Sequence, residues 1–338
     1  MKMKHAFLYS TFFFMAFFSP LLWSAMAKKI SQWLILAIGA VVALAGGEVF
    51  SQQYNFRTYS LEEGLAQSQV FSMCHDSRGN IWFGTNASGI SIFNGIDFKN
   101  LTVKDGLVNN TIQAMFEDSK GNIWIGTDGG LSIHNGYNIK NYTVGMGISS
   151  SKIQSIIEDK SGKIWLGTKT GGINIYQEGN FEIIITEDGL LNNNIKALFQ
   201  DNSGKIWASC YGYGITIFDG SEISYFSTAN GLLDDEINCF FQDKHGTLWI
   251  GSEKGITIIS DISNLENVKP EYQMTGHPVS SFYGDDQGNL WIGTKGGGIL
   301  KYNGKNFLNI TEINGLTNNH VFQIAGDNAG GIWVGTDG

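Results

Sequence analysis

Two kinds of pattern alternate along most of the chain. Runs such as "TIQAMFED" and "NIWIGT" switch between apolar and polar side chains, and short corners rich in Gly, Asn and Asp separate them. Side chains of an extended strand point alternately to opposite faces, so the runs read as strands and the corners as turns. Between residues 110 and 144 four runs follow one another: "TIQAMFED", "NIWIGT", "LSIHNG" and "NIKNYTV". The pattern predicts four short strands, a to d, in one antiparallel meander.

The meander recurs. Its phrase "EDSKGNIWIGTDGG" returns in variants such as "HDSRGNIWFGTNASG", "EDKSGKIWLGTKTGG" and "DDQGNLWIGTKGGG". The shared tryptophans are Trp82, Trp124, Trp165, Trp207, Trp249, Trp291 and Trp333, spaced 41 or 42 residues apart. A catalytic loop is needed once, whereas a unit repeated at roughly 40 to 45 residues is a module that hides its apolar faces against its neighbours. A D-x-x-G corner precedes each tryptophan, from Asp76 with Gly79 to Asp327 with Gly330. Asp can accept turn amides and Gly takes a positive φ, so these carboxylates read as corner posts rather than calcium ligands. In "WIG" the indole and the glycine share a face, so the ring can wedge against the next sheet while the glycine leaves room for that sheet's side chain.

Face-to-face sheets of this period predict an all-β fold, a seven-bladed β-propeller of four-stranded antiparallel blades over residues 54–338. The seventh unit reaches Gly338 with strands c and d absent, so the last blade is expected to be incomplete and the chain to continue in the native gene. The segment "YNFRTYSLEEGL" matches the d phrase "DFKNLTVKDGL" and is expected to help complete that blade and close the ring. Unit four departs from the pattern, with Trp207-Ala208-Ser209-Cys210 in place of W-x-G-T, and the junction 260–280 lacks the "GL.NN" phrase.

The run "EDSKGNIWIGT..GGLSI", with "DGL.NN.I" ahead of it, resembles the two-component regulator propeller repeat. The resemblance implies an exported, ligand-sensing input domain of a hybrid sensor kinase, with the kinase outside this sequence.

Composition supports a folded β protein, with 42% hydrophobic residues, 44 Gly and only 3 Pro. Residues 1–51 carry four Lys and one Glu, against −9 for the chain, which leaves −12 for residues 52–338. Nucleic-acid binding draws on clustered Lys and Arg, so DNA and RNA are poor partners for this acidic body. The N-terminus holds two apolar stretches behind basic residues, each ending in small residues, Ala25-Met26-Ala27 and Val49-Phe50-Ser51. Residues 1–51 are therefore expected to be a signal peptide or a membrane anchor, with Met26 as an alternative start, and the protein to be periplasmic or otherwise exported. Cys74, Cys210 and Cys239 lie far apart and read as buried thiols, with no disulfide framework.

In such a meander the a–b and c–d turns lie at one end, and the b–c loops with the d–a links at the other. The first end is uniform, so specificity is expected at the second. There the b–c loops offer Asn86, Asp128, Lys169, Tyr211, Tyr213, Glu253, Lys254 and Lys295 as ligand-binding candidates. Polar groups converging with two tyrosines would suit a small polar ligand such as an oligosaccharide. The expected partners are that ligand, a possible membrane tether and a possible second copy in a full-length receptor. No cofactor or metal is expected. The histidines do not share a repeat position with a Ser or Cys partner, and no G-x-S-x-G, H-E-x-x-H, P-loop or dinucleotide motif occurs. The propeller is therefore read as non-catalytic; the alternatives are a propeller polysaccharide lyase or glycosidase, and a protein-interaction platform.

Overall fold

The computed structural model describes residues 54–338 apart from 264, 266 and 267. The expected signal peptide or anchor at 1–51 lies outside the described residues. Six four-stranded antiparallel blades are formed, spanning 70–101, 112–142, 153–184, 195–226, 237–274 and 279–310, each in the order a-b-c-d. A seventh sheet has two strands, Val321–Gly326 and Ile332–Thr336. The fold is an all-β propeller of six four-stranded blades and an incomplete seventh sheet, whose two strands are the a and b of unit seven.

Blade 2 shows how the sequence sets one unit. Its strands are Ile112–Glu117, Ile123–Thr127, Leu131–His134 and Ile139–Tyr142, followed by a 3-10 turn at Val144–Met146. At the a–b corner Asp118 Oδ1 accepts the amides of Lys120 and Asn122 at 3.0 and 2.8 Å. Its Oδ2 accepts the indole N–H of Trp124 at 2.8 Å. The same carboxylate-to-indole bond recurs in every unit, between Asp76 and Trp82 at 2.8 Å and between Asp327 and Trp333 at 2.7 Å, for example. Each corner post thus also satisfies the one polar atom of the ring that wedges the blades, as a buried indole requires.

The core is distributed around the ring, with one apolar cluster at each junction between neighbouring units. At the junction of blades 2 and 3, Trp124, Leu131, Tyr142 and Ile148 meet Ile153, Ile156, Ile164 and Leu166. Gly126 makes this approach possible, since a Cβ there would lie 2.9 Å from Ile153 Cβ and Cγ2. In unit four Ser209 occupies the equivalent place, where its hydroxyl accepts the Ala197 amide at 2.9 Å and donates to the Ile237 carbonyl at 3.3 Å. Those two bonds explain why this departure from W-x-G-T is accommodated.

The ring closes. Val70, Met73, Ile81 and Phe83 of blade 1 cluster with Tyr59, Ala325 and Trp333. The Gln323 side chain accepts the Met73 amide at 2.6 Å and donates to the Met73 carbonyl at 3.2 Å. Residues 54–59 form no strand, contrary to the d-strand reading. They nonetheless take the outer place of the seventh sheet: the Tyr59 ring stacks on Trp333 at 5.4 Å, and Phe56 lies against Gly315 as Phe98 lies against Gly64. Among the described residues no third strand lies beside them to give them a ladder to join. Ile332, Trp333 and Val334 are accordingly half-buried, whereas the same positions in the six complete blades are buried.

Candidate functional site

One backbone bond places the b–c loops. In every unit the residue after strand b donates its amide to the residue just before strand a: Asn86 to Gln69 O, Asp128 to Thr111 O, Lys169 to Lys152 O and Tyr211 to Asn194 O. Glu253 to Glu236 O, Lys295 to Pro278 O and Asp337 to His320 O complete the series. These residues therefore sit at the heads of the inner strands, around one rim of the ring. The opposite rim carries the uniform Asp corners.

A β-bulge adds a second layer that the alternating pattern did not reveal. In each inner strand the residue after the first Ile or Val falls out of register with strand b: Phe71, Gln113, Gln154, Lys196, Asn238, Ser280 and Phe322. Bulges re-aim a side chain. Here three of these side chains reach the next inner strand, with Gln154 Nε2 donating to Ile195 O at 3.0 Å, Asn238 Nδ2 to Val279 O at 2.8 Å and Ser280 Oγ to Val321 O at 2.6 Å.

Loop heads and bulge residues together form two sectors. In the charged sector, Lys196 Nζ lies 3.3 Å and Lys295 Nζ 3.9 Å from the same Oε1 of Glu253, so blades 4, 5 and 6 meet at one carboxylate. Burial alone would raise the Glu253 carboxyl, but the Asn238 amide and the two ammoniums hold it below its usual range. Burial and the like charge of Lys196 push the Lys295 ammonium down, against the pull of Glu253. Lys196 Nζ also lies 5.9 Å from the centre of the Tyr211 ring. In the aromatic sector, Phe71 and Phe322 pack edge to face at 4.8 Å, and the His320 ring lies 4.8 Å from Phe322. Lys295 and His320 form a β-bridge, which joins the two sectors.

The sequence candidates are distributed as follows. Tyr211, Glu253 and Lys295 belong to the charged sector. Asn86 donates to Gln69 Oε1 at 2.9 Å, and Asp128 pairs with Lys152 at 2.9 Å. Lys169 is exposed on the rim. Tyr213 is exposed two residues beyond the rim position, and Lys254 pairs with Asp234 at 3.1 Å rather than joining the Lys196 cluster. The asparagines of the d–a links are turn braces: Asn110, Asn193 and Asn319 accept the amides of Val103, Thr186 and Glu312, each at 2.9 Å.

Two other features bear on chemistry. Burial pushes the Cys74 and Cys239 thiols up to about 12, which keeps them protonated and poorly nucleophilic. Among the described residues no group of three or more His, Cys, Asp or Glu side chains could hold a metal ion. Among the same residues no helix is long and apolar enough to cross a membrane.

A ring of like β-sheets with one uniform and one variable rim defines a repeat propeller. The chain matches the two component regulator propeller repeat seven times, at residues 64–87, 106–129, 147–170, 189–212, 231–254, 273–296 and 315–338, and belongs to that family. No curated protein matches it. Among solved structures, it resembles the extracellular domain assigned to the hybrid two component system BT3049 from B. thetaiotaomicron, with 21% identity and a TM-score of 0.73 over 83% of this chain and 40% of that one. The extracellular domain of BT4673 from the same source gives 21% identity and a TM-score of 0.66 over 80% and 39%. Virginiamycin B lyase from Staphylococcus aureus, solved with quinupristin, gives 15% identity and a TM-score of 0.64 over 80% and 92%. This chain thus spans about two-fifths of the two-component relatives' length.

Proposed function

We propose that the ring is the exported sensory input domain of a two-component receptor, and that its variable rim binds a carbohydrate. The observation that carries this reading is the loop-head series. Seven residues of differing chemistry are held at one rim by the same backbone bond, while the other rim repeats one structural corner. Family membership and the likeness to extracellular two-component domains support the sensory role. The expected signal or anchor at residues 1–51 supports export. Tyr211 supplies an apolar face on which a sugar ring can rest, and Lys169, Glu253 and Lys295 supply hydrogen bonds to hydroxyls.

Signalling would follow from a ligand that binds one arrangement of the receptor more tightly than another, which shifts the population between them. The test is calorimetric titration with a panel of oligosaccharides, followed by Tyr211→Ala and Lys169→Ala. Binding that weakens in both variants is expected; a panel without a single binder refutes the carbohydrate reading. A second reading, a propeller lyase or glycosidase, draws on the fold likeness to virginiamycin B lyase. Product formed from a bound oligosaccharide, and abolished in Glu253→Gln, would favour it.

A further inference from the structure

The described region is acidic, yet the candidate rim is not. Residues 54–338 carry the chain's whole negative excess, −12 once the N-terminal charges are set aside. Around the rim, Lys152, Lys169, Lys196 and Lys295 stand against Asp128, Glu236, Glu253 and Asp337, so the acidic excess of the body is absent there. Within this balanced rim the charged sector is locally cationic, because one carboxylate serves two ammoniums. A local positive field in an acidic protein steers anions to that spot.

Next to this pair lies an apolar wall. The Lys295 backbone bridges to His320, whose ring contacts Phe322, which contacts Phe71. Phe71 and Phe322 are bulge residues that are incompletely buried. A ligand seated here meets an under-compensated pair of ammoniums on one side and aromatic rings on the other.

We propose that Lys196 and Lys295 form an anion subsite, and that the ligand is an acidic saccharide whose uronate carboxylate lies on the two ammoniums while its ring rests toward Phe322 and Phe71. This inference rests on the carbohydrate reading above and narrows it to one class. A neutral sugar would leave the second ammonium without a counter-charge, whereas a carboxylate supplies it. Burial and the charge of Lys196 hold the Lys295 ammonium down, so an arriving anion favours its protonated form. Binding should therefore weaken as pH rises toward the range where Lys295 loses its charge.

The experiment titrates the full chain with digalacturonate, with the neutral counterpart galactobiose, and with inorganic sulfate. Digalacturonate is expected to bind at least about tenfold more tightly than either control, with an affinity that falls as salt is added. Lys196→Met should lose about tenfold for digalacturonate and leave galactobiose unchanged, and Lys295→Met should lose more of the digalacturonate affinity than of the galactobiose affinity. Glu253→Gln removes the competing carboxylate and should strengthen digalacturonate binding, an effect that a misfolded variant cannot mimic. Galactobiose binding as tightly as digalacturonate would overturn the inference and leave the carbohydrate reading standing. Sulfate binding as tightly would reduce the subsite to a bare anion hole and also overturn it. Binding of neither sugar would overturn the inference, while the carbohydrate reading stands or falls by the wider panel.

Discussion

The close approach at Gly126 gives the sharpest test of how the blades are held. Gly126→Ala adds one carbon that would sit 2.9 Å from Ile153 Cβ and Cγ2 and 3.1 Å from the Ile153 carbonyl oxygen. Ile153 is fully buried, and two of the three obstructing atoms lie close to or on the backbone, so relief requires the two blades to move apart. Overpacking of this kind costs about 1–3 kcal/mol. For a chain of this size that corresponds to a loss of roughly 2–5 °C in thermal midpoint. Gly145→Ala is the control, because nothing lies within 4 Å of its added carbon and its φ is not in the left-handed region. Differential scanning calorimetry on both variants should separate them. The double variant Gly126→Ala with Ile153→Gly, which removes both Cβ and Cγ2, should be destabilised by less than the sum of the single changes, by about 1 kcal/mol or more, since the new methyl then occupies space the isoleucine left. A Gly126→Ala protein that melts within about 1 °C of Gly145→Ala would refute the wedge argument.

Further outcomes follow from the corners and the seam. At Asp76, Asp118, Asp159, Asp201, Asp285 and Asp327, burial raises the carboxyl, but the Trp, Asn or Ser side-chain bonds and the turn amides together bring each below its ordinary value. A depressed folded pKa means that this stabilisation is complete above the ordinary carboxylate value near 4 and is lost as pH falls through the lower folded value. Chemical denaturation at pH 7, 4 and 3 should show the loss, and Asp201→Asn, which presents an amide donor to the Trp207 indole N–H, should cost about 1–3 kcal/mol at pH 7. His134 lies 5.3 Å from the Trp82 ring centre, and burial together with Lys99 and Arg78 pushes its pKa down. The unfolded chain therefore takes up this proton first as pH drops below about 6.5, and His134→Phe should flatten the stability profile there; an unchanged slope would contradict it. Tyr59→Ala should remove the stacking partner of Trp333 and speed amide exchange in Ile332–Thr336, with exchange in blade 4 unchanged.

Much of the architecture was legible because each unit states it again. A strand period of two, a D-x-x-G corner and a tryptophan every 41 or 42 residues define sheet, turn and wedge. The bond from each corner carboxylate to its indole six residues later was not read, because it runs between two features assigned separately. Ring closure by residues 54–65 was half visible: the d phrase placed them beside the seventh sheet, but a strand needs a partner, and among the described residues no third strand lies beside them. At the rim, Tyr211, Glu253 and Lys295 could be placed by their position after strand b. Lys196, Phe71 and Phe322 could not, since simple alternation gives no sign of the bulge that turns the second residue of each inner strand. Lys254 follows Glu253 in sequence, yet pairs with Asp234, because neighbouring residues of a loop need not share a direction.

The seam has a mechanical consequence. The outer layer of the seventh sheet comes from the start of the described region and its two strands from the end, so both extremities are gripped at one latch. Tension on the peptide at Tyr54 meets the edge contact of its ring with Trp291 of the sixth blade and then the stack of Tyr59 on Trp333. The latch, with its half-buried strand, is therefore expected to open more readily than the six four-stranded blades, which amide exchange at Ile332–Thr336 would report.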